Sequence, residues 1–314
     1  MKRILVPIDF SSNAGDALRF ASEIAHRLGL GIFLFHAYHE ALQDPDVSEA
    51  AIGRIRIGEK RKIYKRLHKI REGILAEFMR KKSDIKCWVE GGIGLAAEEI
   101  LDFAGSRKVP VIVMGARGES AAARFFFGSV STRVAAGAAC PVMVIPPGYR
   151  AGKKIKMLFA VGDVLPPAGI IRHFFDFADR LDAAAEFVHV CRPGEENAAA
   201  RVEGAFREMP ERRSNTRLRI IKSPDVAGGL NKYAVKCRAG MLIMYARHEA
   251  LLKKILNRSV STSMIYHTTI PLLIYPADFR EENKRKYSIR RSGTRRSGAY
   301  SGVNANLSTL KQKP

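Results

Sequence analysis

Two stretches of this chain, 130 residues apart, align without a gap: MGARGESAAARFFFGSVST (Met114 to Thr132) and MYARHEALLKKILNRSVST (Met244 to Thr262). Met114, Ala116, Arg117, Glu119, Ser129, Val130, Ser131 and Thr132 recur unchanged in the second copy. The repetition extends outward. KMLFAV (Lys156 to Val161) echoes RILVPI (Arg3 to Ile8), EFVHVC echoes IFLFHA with His36 and His189 in the same place, and IPLLIYPA echoes CPVMVIPP. A chain that repeats itself on this scale folds as two similar units.

The order of elements within a unit sets its class. RILVPID reads as an apolar strand, and Ser11, Ser12 and Asn13 are suitable N-caps for a helix. Ala14, Ala17, Leu18, Ala21, Ile24, Ala25 and Leu28 follow at helical spacing, and Gly29 stops the helix. Then come the strand GIFLFHAY, a basic helix, a strand around DIKCWVE and a helix around GLAAEEILDFAGSRK. The strand VPVIVMGA, a helix beginning near Gly128 and a last strand CPVMVIPP complete the unit. Such alternation means βαβ units and a parallel sheet covered on both faces. Pro146, Pro147 and Gly148 close the first unit. The expected organisation is one domain over residues 1–148, a second over 153–277, and a basic tail over 278–314. That tail has too few large apolar residues to offset its ordering entropy, so disorder is expected there.

The net charge of +22 is concentrated in the tail and in Arg54 to Lys82, where twelve Lys or Arg face three Glu. In the latter segment Ile63, Leu67, Ile70, Ile74 and Phe78 recur at steps of four and three, one apolar stripe of a helix with basic flanks. Basic surfaces attract polyanions, but neither segment carries the interleaved aromatics of a nucleic-acid module. A solvated surface and a polyanion contact both remain open. No apolar run reaches 18 residues and the N-terminus MKRILVPIDF lacks a signal-peptide pattern, so a cytoplasmic protein is expected. Cys87, Cys140, Cys191 and Cys237 lie far apart without ligand spacing and read as buried thiols. No metal site and no catalytic constellation is expected.

Where the copies differ is as informative. Gly115, Gly118 and Gly128 become Tyr245, His248 and Arg258, so all three glycines are lost together while their neighbours persist. Glycine permits positive φ or close backbone approach, so this loss points to a site kept by the first copy only. In open parallel sheets ligands bind beyond the carboxyl ends of the strands. A helix opening at Gly128 and Ser129 offers free N–H groups to an anion, and Ser129, Ser131 and Thr132 add hydroxyls. The chain has no Walker P-loop, and GGIG at Gly91 to Gly94 lacks the dinucleotide-binding spacing.

The pattern G-x2-G-x9-G-[ST] at Gly115, Gly118, Gly128 and Ser129 resembles the ATP-binding signature of the universal stress protein (UspA) family. ILVPIDFSSNAGDAL and LFHAY are similar to that family's first two strands. The resemblance covers residues 1–147 and, in degraded form, 153–277, as in tandem members. It implies an α/β fold of two tandem doubly wound parallel-sheet domains, Rossmann-like and of the adenine-nucleotide α-hydrolase-like type, each with about five strands flanked by helices.

The resemblance also implies a site for ATP, with Mg²⁺. Asp9, preceded by Pro7, would contact the nucleoside, Ala37 would line the adenine pocket, and Met114 would pack near the base. Gly115, Gly118, Gly128, Ser129 and Val130 would surround ribose and phosphates, with Ser131 beside them; Arg117 and Arg124 would add charge. In the second copy Gly162 stands at the place of Asp9, with Asp163 one residue late. The last strands of the two copies are expected to pair edge to edge as an intrachain pseudo-dimer, and further association of two chains stays open. The implied role is ATP-binding regulation in a stress response. No general base is held against a nucleophile, so hydrolysis or autophosphorylation would be slow and secondary. Several site residues also carry structural readings: Asp9 as a helix cap, Gly128 and Ser129 as a plain helix start, His36 and His189 as core histidines, and Phe125 to Phe127 as packing under the loop. The competing function is a scaffold without nucleotide, whose basic helix and tail engage nucleic acid or anionic membrane.

Overall fold

The computed structural model describes residues 1–38, 49–81, 84–116, 129–150, 152, 155–246 and 269–279, with backbone only for 49–56. The first half runs β1 (Arg3–Pro7), α1 (Ser12–Leu28), β2 (Gly31–Tyr38), α2 (Glu49–Arg80), β3 (Cys87–Ile93), α3 (Ala96–Arg107), β4 (Ile112–Gly115), α4 (Ser129–Gly137) and β5 (Val142–Ile145). The second half runs β6 (Lys156–Val161), α5 (Ala168–Arg180), β7 (Ala184–Cys191), α6 (Glu196–Arg207), β8 (Arg217–Lys222), α7 (Val226–Lys236), β9 (Met241–Tyr245) and β10 (Leu272–Tyr275). All of these lie in one compact unit, Met1–Glu281; the basic tail beyond it falls outside the described residues.

The ten strands form one sheet in the order β3-β2-β1-β4-β5-β10-β9-β6-β7-β8. Within each half every neighbouring pair is parallel, and the halves meet through an antiparallel pair, with Leu272 opposite Val144, Leu273 opposite Met143 and Ile274 opposite Val142. Each last strand thus covers the other's otherwise open apolar edge. The duplication is written into the register: Arg3 pairs with Gly31 as Lys156 pairs with Ala184, and Ile112 pairs with Val142 as Leu242 pairs with Leu272. The offset between copies falls from 153 to 130 because the 32-residue α2 is answered by the 12-residue α6.

Helices cover both faces. α1, α2, α5 and α6 pack into one core, around Ile4, Val6, Phe78, Phe159, Phe174, Phe187 and Phe206. α3, α4 and α7 pack into the other, around Leu5, Phe35, Val134, Leu158 and Leu230. The predicted stripe of α2 is the buried one, with Leu67, Ile74 and Phe78 in the core and Ile63 and Ile70 packed against it, while Lys60, Arg61, Lys65, Arg66 and Lys69 are exposed. α1 is capped by Ser11 and closed by Gly29 at φ 63°. Asp16 ties the connection between halves to α1: its carboxylate accepts from the Gly148 N–H (2.7 Å) and from Arg19 (2.9 Å). Tyr149 donates to the Gly240 carbonyl (2.8 Å), and the Arg180 guanidinium donates to that of Leu28.

The four cysteines are free thiols, Cys87 and Cys191 buried, Cys140 and Cys237 partly so. Burial pushes the Cys87 thiol up to about 12 and that of Cys140 to about 11. Among the described residues no helix is long and apolar enough to cross a membrane.

Candidate functional site

The carboxyl ends of β1, β2 and β4 and the first turn of α4 bring eight of the predicted residues to one end of the sheet. Pro7 is the last residue of β1 and lies opposite Phe35 in the register with β2. Asp9 follows in a tight turn whose next residue, Phe10, is left-handed at φ 66°, an uncommon conformation for an aromatic residue. The Asp9 carboxylate accepts from the Ser11 N–H at 3.0 Å, and the Ser11 hydroxyl accepts from Ala14 N–H at 3.1 Å. Asp9 therefore shapes the entry into α1 two residues beyond the end of β1. Ala37, near the end of β2, packs on the α3 and α4 side of the sheet, and Met114 is buried in the same core.

On the same face, Ser129 is exposed at the first position of α4 and Val130 is partly buried against that core. The Ser131 hydroxyl donates to the Ala116 carbonyl at 3.1 Å and is buried, which fixes the first turn of α4 against the end of β4. Backbone N–H groups of such a turn have no intrahelical acceptor and attract negative charge. Arg117, Gly118 and Gly128, with Arg124 and Phe125 to Phe127, lie outside the described residues. Among the described residues no three His, Cys, Asp or Glu side chains gather as a metal site.

Gly115 has a local reason that its sequence does not announce. It is not left-handed, yet a Cβ there would stand 2.9 Å from Asn13 Oδ1, 3.0 Å from its Cγ and 3.1 Å from its backbone carbon. Asn13 is 5% exposed and donates through Nδ2 to the Ile145 carbonyl at 3.2 Å, so it holds α1 against both β4 and β5. The missing side chain at 115 is accounted for by this helix approach. Asn13 read as one more capping residue in the sequence; the signal that finds it is paired change. In the second copy Tyr245 replaces Gly115 and Pro166 stands at the place of Asn13, and the Tyr245 hydroxyl donates to the Ala277 carbonyl at 3.3 Å.

The two histidines repeat one another in geometry. His36 Nδ1 donates to the Ile8 carbonyl at 2.6 Å and His189 Nδ1 to that of Val161 at 3.1 Å. Both bonds span the same 28 residues, which fixes the equivalence of Ile8 with Val161 and hence of Asp9 with Gly162 and Phe10 with Asp163. Their surroundings differ. Phe10 packs on His36 with ring centroids 4.7 Å apart, and the Arg66 guanidinium of α2 covers Phe10 at 3.7 Å. The Phe10 ring is thus held between an imidazole and a cation on the α2 side, away from Ala37 and Met114.

Known proteins fit this arrangement. A family model described as the universal stress protein family matches residues 1–146. A universal stress protein of Methanocaldococcus jannaschii is 30% identical over 147 residues, which is 46% of this chain and 81% of that protein. A universal stress protein of Thermus aquaticus is 33% identical over 147 residues, covering 46% of this chain and 98% of the other. The solved structure of a universal stress protein from Archaeoglobus fulgidus covers 88% of this chain and 98% of its own, with a TM-score of 0.66 at 18% identity, which is a likeness of fold.

Proposed function

This chain belongs to the universal stress protein family, and from that premise we propose that it is a regulatory nucleotide-binding protein of the cytoplasm whose first half, residues 1–148, takes one ATP with Mg²⁺. The observation that carries the reading is the gathering of Pro7, Asp9, Ala37, Met114 and the first turn of α4 at one end of a parallel sheet, where such folds hold ligands. Asp9 accepts from the nucleoside hydroxyls while keeping its turn, and Ala37 and Met114 present apolar surface to the base. Ser129, Val130 and Ser131 offer backbone N–H groups to the phosphates, and Gly115, Gly118, Gly128 and Arg117 complete the cradle. Mg²⁺ rides on the triphosphate oxygens, since this ion keeps much of its water and leans on few protein groups.

The second half, residues 153–277, serves as the pairing partner. Gly162 removes the carboxylate of Asp9, and Arg258 stands at the place of Gly128. The antiparallel joint of β5 with β10 supports reading the two halves as an intrachain pseudo-dimer, for which one nucleotide is expected. Calorimetric titration of Mg-ATP into the intact chain, Asp9→Ala and Gly128→Arg tests this. We expect saturable heat from the intact chain and a loss of at least tenfold in affinity in both variants, through one charge-assisted contact in Asp9→Ala and through blocked backbone approach in Gly128→Arg. No heat from the intact chain, or undiminished binding by Gly128→Arg, would overturn the assignment. If heat is absent and binding to a polyanion survives Gly128→Arg with strong salt dependence, the scaffold reading built on α2 and the tail replaces it.

A further inference from the structure

Two glycines at the end of β3 make room for one carboxylate. A Cβ at Gly92 would stand 2.3 Å from Glu99 Oε2, and one at Gly94 would stand 2.6 Å from Glu99 Oε1. Glu99 therefore reaches from the first turn of α3 over the carboxyl end of β3. Gly92 lies opposite Ala37 in the register with β2, so the carboxylate covers the strand next to Ala37, one spacing of about 4.8 Å away. It lies on the same face of the sheet: the Cβ at Gly92 would also meet Phe35 Cζ at 3.0 Å, and Phe35 shares its core with Ala37. Among the described residues the Glu99 carboxylate has no hydrogen-bond or ion-pair partner, and its oxygens reach solvent. Glu98, exposed in the same turn, already answers the helix dipole.

The second half shows which way position 99 faces. Glu99 N–H donates to the Leu95 carbonyl as Gly229 N–H donates to that of Asp225, and Gly94 N–H donates to Tyr38 as Ser223 N–H does to Cys191. Glu99 thus corresponds to Gly229, Gly94 to Ser223 and Ala37 to Val190. A Cβ at Gly229 would stand 2.8 Å from Ser223 Cβ and 3.4 Å from Val190 Cγ1, so this position faces the side chain that replaces Ala37. The second half has no carboxylate there, just as it has none at the place of Asp9. Across the sheet the order β3-β2-β1-β4 sets Glu99, Ala37, Asp9 and the first turn of α4 in a row, about 14 Å from β3 to β4. On the reading that this half holds ATP, phosphates at α4 and ribose at Asp9 bring the base to Ala37 and its far edge to Glu99. We propose that Glu99 sets the choice of base, its carboxylate accepting a hydrogen bond from the exocyclic amine of adenine. A carboxylate offers acceptors only. Adenine carries N–H donors at position 6, where guanine and hypoxanthine carry a carbonyl that would set oxygen against oxygen.

The test is calorimetry of the full chain with Mg-ATP and with Mg-ITP, which share ribose and triphosphate and differ at the base edge alone. We expect ATP to bind at least about tenfold more tightly than ITP. Glu99→Gln keeps the shape of the side chain, and its amide donates to a carbonyl as well as accepting from an amine, so the preference should fall to about threefold or less. Glu99→Ala, which suits a helix, should bring the two affinities to within about threefold of each other through weaker binding of ATP. A merely structural role would weaken both nucleotides alike, so the ratio reads the base contact. Equal affinities for ATP and ITP in the intact chain, or a preference that persists in both variants, would overturn the role of Glu99 and leave the ATP site standing. No heat from ATP would overturn that site and this proposal with it.

Discussion

Adding one methyl group at position 115 separates a glycine required by folding from one required by a ligand. The Cβ of Gly115→Ala would approach three Asn13 atoms at 2.9, 3.0 and 3.1 Å, where ordinary contacts lie near 3.5–4.0 Å. Asn13 has little freedom to yield, because it is buried, bound to the Ile145 carbonyl, and part of a helix whose Ala14, Ala17, Leu18 and Ala21 lie in the core. Overpacking of this kind costs about 1–3 kcal/mol, and rotating Asn13 away instead leaves a buried carbonyl unpaired at similar cost. The reduced freedom of the unfolded chain offsets about 0.4–1 kcal/mol of this. A net loss near 1–2 kcal/mol corresponds to a fall of about 2–8 °C in melting temperature, read by circular dichroism on heating. Asn13→Ala in the same chain removes the side-chain contacts and leaves only the backbone one, so the double variant should lose less than the two single variants together. Equal stability of Gly115→Ala and the parent, or strictly additive losses, would refute the packing explanation and return Gly115 to the ligand alone.

Three further outcomes follow from the second half and the core. Burial works against ionisation of Glu186, but Lys156, Tyr233 and Arg219 together outweigh it and hold its carboxyl below the ordinary range. A depressed folded value means the contribution is present above the unfolded glutamate range and lost as pH falls through the folded value, so Glu186→Gln should lower stability by about 1–3 kcal/mol at neutral pH and by less in acid, as urea unfolding at the two pH values will show. With its thiol pushed up to about 12, Cys87 should resist iodoacetamide in the folded protein at pH 8 and label only on unfolding; rapid native labelling, located by mass spectrometry, would contradict its burial. Leu273→Ala, at the centre of the joint between halves and 2% exposed, should cost about 2–5 kcal/mol, and a cost below 1 kcal/mol would mean that the joint contributes little.

Much of the architecture was readable from residues because its period is local. GIFLFHAY and KMLFAV became β2 and β6 with the predicted ends, and the duplication reappeared as matching strand registers. β8 was harder to read: RLRIIK is an edge strand with four of six residues exposed, where Arg217, Arg219 and Lys222 blunt the edge and interrupt the apolar signal. The candidate site was legible where a residue type follows a strand end, as with Asp9, or opens a helix, as with Ser129. It was not legible where the reason is a neighbour distant in sequence, as with Asn13 beneath Gly115 or Val161 holding the His189 ring. Those depend on which helix approaches which strand.

The asymmetry of the two halves is best tested by counting nucleotide. Equilibrium dialysis of the intact chain against saturating Mg-ATP should give one ATP per chain, and none after Gly128→Arg. Two ATP per chain would show that the second half kept its site despite Gly162, Tyr245 and Arg258, and none would remove ATP from the function of this chain.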